Sequence, residues 1–92
     1  MIVMKAYKLV ISSPEGDLFR DEAVMISVRG VEGDLAVMAN HTPFVTSVVP
    51  CKCSIELDDG TNKNLLVERG LLSVLADNVT LMSGSAKWED NK

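Results

Sequence analysis

The sequence predicts an all-β fold, an antiparallel β-sandwich or flattened barrel of short strands. Short apolar alternations of period two recur along the chain, and turn residues interrupt them at intervals of roughly eight to twelve, the spacing of a sandwich or barrel. Helical spacing of apolar residues is almost absent. With 92 residues, the chain is one small domain with no room for a cleft between two lobes. Its 47% hydrophobic and 24% charged residues supply a folded core rather than a disordered chain.

The elements follow in order. In Tyr7-Lys8-Leu9-Val10-Ile11, residues Tyr7, Leu9 and Ile11 share one face of a strand. Ser12-Ser13-Pro14-Glu15-Gly16-Asp17 is a turn, after which Leu18-Phe19-Arg20 re-enters the sheet. Val24, Ile26 and Val28 then alternate with Met25 and Ser27, the pattern of a strand covered in part on both faces, and Gly30 ends it. A second turn, Val31-Glu32-Gly33-Asp34, leads into Leu35-Ala36-Val37-Met38. The polar segment Ala39-Asn40-His41-Thr42-Pro43 precedes a strand from Phe44 to Val49. The clearest hairpin runs from Lys52 to Glu68: Cys51, Cys53, Ile55 and Leu57 form the apolar stripe, Lys52, Ser54 and Glu56 the solvent face, and Asp58-Asp59-Gly60 the turn. Gly70 separates it from Leu71 to Leu75, Asp77-Asn78 turns into Val79-Thr80-Leu81-Met82, and Ser85 to Lys92 reads as a polar tail. These elements close into two packed antiparallel sheets.

Charge and composition exclude several functions. Nine Lys and Arg against thirteen Asp and Glu give a net charge of −4, which repels phosphate backbones, so nucleic acid is not an expected partner. Met1 to Lys5 is too short an apolar stretch for a signal peptide, and no segment approaches the ~20 apolar residues of a membrane helix. The expectation is a soluble, cytoplasmic protein. Cys51 and Cys53 are one residue apart on a strand whose backbone runs straight on, a poor geometry for a disulfide, and both read as reduced. One His and two Cys are too few for a metal site, with His41 ten residues upstream. No strained Gly-x-Ser-x-Gly context presents a nucleophile, and Gly30-Val31-Glu32-Gly33-Asp34 lacks the Lys of a phosphate loop. The acidic pairs Asp21-Glu22, Asp58-Asp59 and Glu89-Asp90 lack the alternating oxygen ligands of a calcium loop. Hence no catalytic residue, metal ligand or cofactor is assigned.

Three features stand out. His41, the single histidine, sits in a polar chain reversal, where its imidazole either meets a partner or bonds its own loop. Five methionines, with Met25, Met38 and Met82 in strands, suit an adaptable contact surface as well as a core. Glu32-Gly33-Asp34 sets carboxylates at a loop tip, either a contact or an ordinary solvated turn.

Taken in order, Ser13-Pro14-Glu15-Gly16 with Phe19, Gly30-Val31-Glu32-Gly33-Asp34-Leu35, His41-Thr42-Pro43-Phe44-Val45-Thr46, and Gly70-Leu71-Leu72-Ser73-Val74 with Asn78-Val79-Thr80-Leu81 resemble the N-terminal domain of the epsilon subunit of bacterial F-type ATP synthases, delta in mitochondria. The resemblance spans about Lys5 to Ala86. The chain departs from it at Ala39-Asn40, where the family commonly has Pro-Gly, and at Arg69-Gly70, where it has Gly-Gly. Asn tolerates the left-handed conformation a Gly would adopt, so that loop can survive.

What the resemblance implies is a ten-stranded sandwich in the rotor, clamped to the gamma subunit and resting on the c-ring, which transmits torque and does no chemistry. Its gamma-facing positions fall on Ser13, His41 and Thr46, and its c-ring turn on Asp34, with Glu32 beside it. Met25, Met38, Phe44 and Val45 are the apolar candidates for the gamma contact. The implied domain is residues 1–86, with 87–92 a tail where the family's helical hairpin would begin; the inhibitory role and nucleotide site of those helices are not carried over. The protein is expected to be a monomer when isolated and peripheral to the cytoplasmic face of the membrane, without inserting. The rival reading is a free-standing sandwich that binds a small ligand or peptide near His41.

Overall fold

A computed structural model describes residues 5–39 and 42–89. Ten strands follow one another: β1 Tyr7–Ser13, β2 Gly16–Ala23, β3 Met25–Gly30, β4 Gly33–Val37, β5 Phe44–Val48, β6 Cys51–Glu56, β7 Asn62–Val67, β8 Gly70–Val74, β9 Asn78–Ser83 and β10 Ala86–Trp88. No helix occurs among the described residues. The strands form one continuous sheet in the order β10-β7-β6-β3-β5-β8-β9-β1-β2, with β4 on β3. The sheet folds on itself where β3 passes from β6 to β5, through Gly30 opposite Val48 and the Val49 amide on the Arg29 carbonyl at 3.1 Å. One half is β4-β3-β6-β7-β10 and the other β5-β8-β9-β1-β2.

The strand alternation drives this closure. Leu9, Ile11, Ile26, Ile55, Leu65, Leu72 and Leu81 are fully buried between the halves, each from the apolar phase of its strand. Leu57 is only half-buried at the end of its stripe. Tyr7 is also buried, and its hydroxyl donates to the Val37 carbonyl at 2.7 Å, tying β1 to the end of β4. Burial pushes its phenol well above the ordinary range.

Two features differ from the sequence expectation. The strand pairs are antiparallel except one, since β1 runs parallel to β9, Leu9 beside Val79 and Ile11 beside Leu81. Alternation fixes which face a strand buries but carries no information about the direction of its neighbour. The polar tail is in part a strand: β10 pairs antiparallel with β7, Ala86 opposite Val67 and Trp88 opposite Leu65. Trp88 meets Phe19 of β2 edge-on with ring centroids 6.4 Å apart, and the Lys63 ammonium lies 5.7 Å from the ring centre. Lys87, Glu89 and Asp90 mask this aromatic contact when the tail is read by composition alone.

Candidate functional site

Pairing register decides which side chains leave the core together. Across the β5-β8-β9-β1 half, Val45, Ser73, Thr80 and Val10 form one cross-strand row, and Ser47, Leu71, Met82 and Ser12 the next. Both rows point outward. Val45 is 62% exposed, Leu71 39% and Met82 47%, on a face whose other members are Ser, Thr and the half-buried Val10. Large apolar side chains held in register on a sheet face form a ready contact surface, unlike single apolar residues scattered over a protein.

The row between them points inward. Thr46 pairs with Leu72, which pairs with Leu81, and Phe44 pairs with Val74. Phe44 packs against the core and Thr46 is half-buried. Because successive side chains alternate across a strand, Val45 and its neighbours Phe44 and Thr46 serve opposite faces. Met25, opposite Glu56, and Met38, exposed just beyond β4, belong to the other half of the sandwich. The structure places Ser13 in a groove with Leu71 and Met82, sets Val45 on the same half in the neighbouring outward row, and separates Met25 and Met38 from both. His41 lies outside the described residues. Leu71 is not among the contacts that the sequence suggests, and Met82 figures there only as a strand methionine; the alternation of Leu81 inward with Met82 outward is the signal that points to both.

Ser13 opens a groove of about 470 Å³ continuous with this face, lined by Ser12, Pro14, Arg69, Leu71 and Met82 among others. Its floor depends on Gly70: a Cβ there would strike the Met82 carbonyl oxygen and come within 3.0 Å of the Ser83 Cα. One wall is fastened by Ser83, a buried hydroxyl that donates to the Ser85 carbonyl at 2.7 Å and accepts the Glu68 amide at 3.2 Å.

The Glu32–Asp34 turn forms a second exposed feature. Gly33 has φ of 128°, a conformation that L side chains rarely adopt, and this makes the tight reversal from Gly30 to Gly33 possible. Asp34 accepts from Arg29 Nε at 2.8 Å, so the carboxylate is presented as half of an ion pair rather than alone. That hydrogen bond, reinforced by the guanidinium charge, holds the Asp34 carboxyl below the usual carboxylate range. Val31, 62% exposed, puts an apolar side chain beside the acidic ones. Cys51 and Cys53 are free thiols, the first half-buried and the second buried. Among the described residues no cluster of three or more His, Cys, Asp or Glu is placed to hold a metal ion. No helix among them is long and apolar enough to cross a membrane.

Comparison with known proteins gives a consistent picture. Residues 6–89 match the family described as ATP synthase, Delta/Epsilon chain, beta-sandwich domain. The chain is 31% identical over 86 residues to an ATP synthase epsilon chain of Clostridium novyi, covering 94% of this chain and 66% of that one. It is 30% identical over 87 residues to the epsilon chain of Clostridium perfringens, covering 95% and 65%. The chain thus spans just under two thirds of the length of these relatives. A chain of the Euglena gracilis mitochondrial ATP synthase OSCP/F1/c-ring structure shares the fold with a TM-score of 0.87 at 18% identity, over 96% of this chain and 56% of that one. A chain of the Tetrahymena thermophila mitochondrial ATP synthase central stalk and c-ring does so with a TM-score of 0.77 at 11% identity, over 94% and 69%.

Proposed function

Because this chain belongs to the ATP synthase delta/epsilon family, whose β-sandwich domain it carries over residues 6–89, we propose that it is a non-catalytic central-stalk subunit that docks on the gamma subunit and rests against the c-ring, coupling ion-driven rotation to ATP synthesis. The observation that carries this reading is the outward stripe Val45, Leu71 and Met82 on a rigid sheet face. A specific interface needs about 1,000 Å² in total, hence roughly 500 Å² from each partner. That is about a tenth of this chain's 5789 Å² surface, which the stripe and the adjoining groove at Ser13 are placed to supply.

In this arrangement Val45 and Ser13 touch gamma, while Phe44 and Thr46 anchor the strand that presents Val45. Met25 and Met38, on the other half, fall outside the contact. The Val31–Asp34 turn faces the polar loops of the c-ring, where an exposed ion pair contributes orientation more than affinity. The site of action is the cytoplasmic face of the membrane, as a peripheral component of the complex.

Calorimetric titration with the gamma subunit from the same source tests the reading. The wild type binds one to one, and Val45→Glu, which puts a charge into a desolvated contact, weakens binding about tenfold or more without changing the melting temperature. Equal affinity of the two proteins refutes the assignment of this face.

A further inference from the structure

The groove beside the apolar stripe carries a cation that has no carboxylate partner among the described residues. Arg69 is exposed at its rim, and among the described residues no carboxylate lies within ion-pairing distance of it. Of the three arginines, Arg20 and Arg29 pair with Asp17 and Asp34, which leaves Arg69 as the arginine with no carboxylate partner among the described residues. The backbone under Arg69 is fixed: its carbonyl accepts the Gly84 amide at 3.1 Å, and the Ser83 hydroxyl holds the amide of Glu68. Gly70 follows it in a position that admits no Cβ, which keeps the segment pressed against β9. Arg69 therefore projects from a rigid backbone and lines the groove together with Leu71, Met82 and Pro14, in a chain whose net charge is −4.

We propose that Arg69 is a specificity-determining residue of this docking face, recognising a partner segment in which an apolar side chain that enters the groove is flanked by a carboxylate. The proposal rests on the reading that gamma covers this face and names the chemistry gamma must present there. A planar guanidinium on a fixed base suits bidentate pairing with a carboxylate, and the apolar wall lowers the local dielectric and strengthens that pair when the partner excludes water. The result is selection among partners: a segment with Lys or Arg at the facing position meets like charge in a closing interface.

The test is titration of the matched gamma subunit into the wild type, Arg69→Ala and Arg69→Glu at low and at high salt, with melting temperatures measured in parallel. The proposal expects about tenfold weaker binding for Arg69→Glu, a smaller loss for Arg69→Ala, a flatter salt dependence for Arg69→Ala than for the wild type, and unchanged melting. Wild-type binding with no loss in Arg69→Glu overturns the role of Arg69 and leaves the docking face standing. Failure of the wild type to bind gamma, or self-association through this face instead, overturns the docking reading and this proposal with it.

Discussion

Replacing Gly70 by Ala tests the packing that shapes the docking groove. The added methyl points at the β9 backbone, into the Met82 carbonyl oxygen, with the Ser83 Cα at 3.0 Å and the Met82 carbonyl carbon at 3.1 Å. These are backbone atoms, so no rotamer change relieves the clash; β8 and β9 have to separate. The strain falls on the ladder pairs Gly70 with Ser83 and Leu71 with Met82. Overpacking costs about 1–3 kcal/mol where side chains can adjust, and each weakened ladder bond about 1 kcal/mol more, so the loss is about 3 kcal/mol. A domain of 92 residues is stable by roughly 5–14 kcal/mol, and each kcal/mol moves its melting temperature by about 4–8 °C. Urea unfolding should therefore show the midpoint falling sharply. Gly84→Ala is the control, because a Cβ there meets only the Arg69 carbonyl at 3.8 Å, an ordinary contact. A loss below about 0.5 kcal/mol in Gly70→Ala, or equal losses in both variants, refutes the close approach of β8 to β9.

Burial, helped by the nearby Cys51 charge, pushes the Cys53 thiol from 9.0 up to about 12. The folded state keeps this proton while the unfolded chain releases it, so the stability it contributes is full below pH 9 and is lost as pH rises towards 12, at up to about 1.4 kcal/mol per unit. Tyr7, also raised by burial, adds to the decline above 10.0. Denaturant unfolding from neutral pH upward should show this fall, with Cys53→Ala flatter between pH 9 and 10; identical slopes would contradict the burial of the thiol. Asp34→Asn removes an exposed charge and its pair with Arg29, so melting should be nearly unchanged while rotational coupling in reconstituted ATP synthase declines. Undiminished coupling would remove Asp34 from the c-ring contact.

Much of the fold was legible because a half-buried strand writes its period into the sequence. Tyr7, Leu9 and Ile11 were placed on one face and are buried together; Cys53 and Ile55 likewise. What stayed hidden depends on contacts between distant elements. The parallel pairing of β1 with β9 joins segments about seventy residues apart, and no local signal records strand direction. β10 pairs with β7 and carries Trp88 to Phe19 of β2, a contact between segments almost seventy residues apart. The same limit applied to the candidate site. Val45 and Thr46 are adjacent in sequence and both are candidate contacts, and only the pairing shows that Val45 faces solvent while Thr46 is half-buried on the inward side. Ser13 and Arg69 are far apart in sequence and meet at one groove only because β1, β9 and β8 are neighbours.

The most direct test of the central-stalk reading is light scattering after size exclusion on a mixture of this protein with the purified gamma subunit from the same source. The account predicts a stable complex with one copy of each, lost when Val45 is replaced by Glu. Elution of two separate, folded species would contradict it.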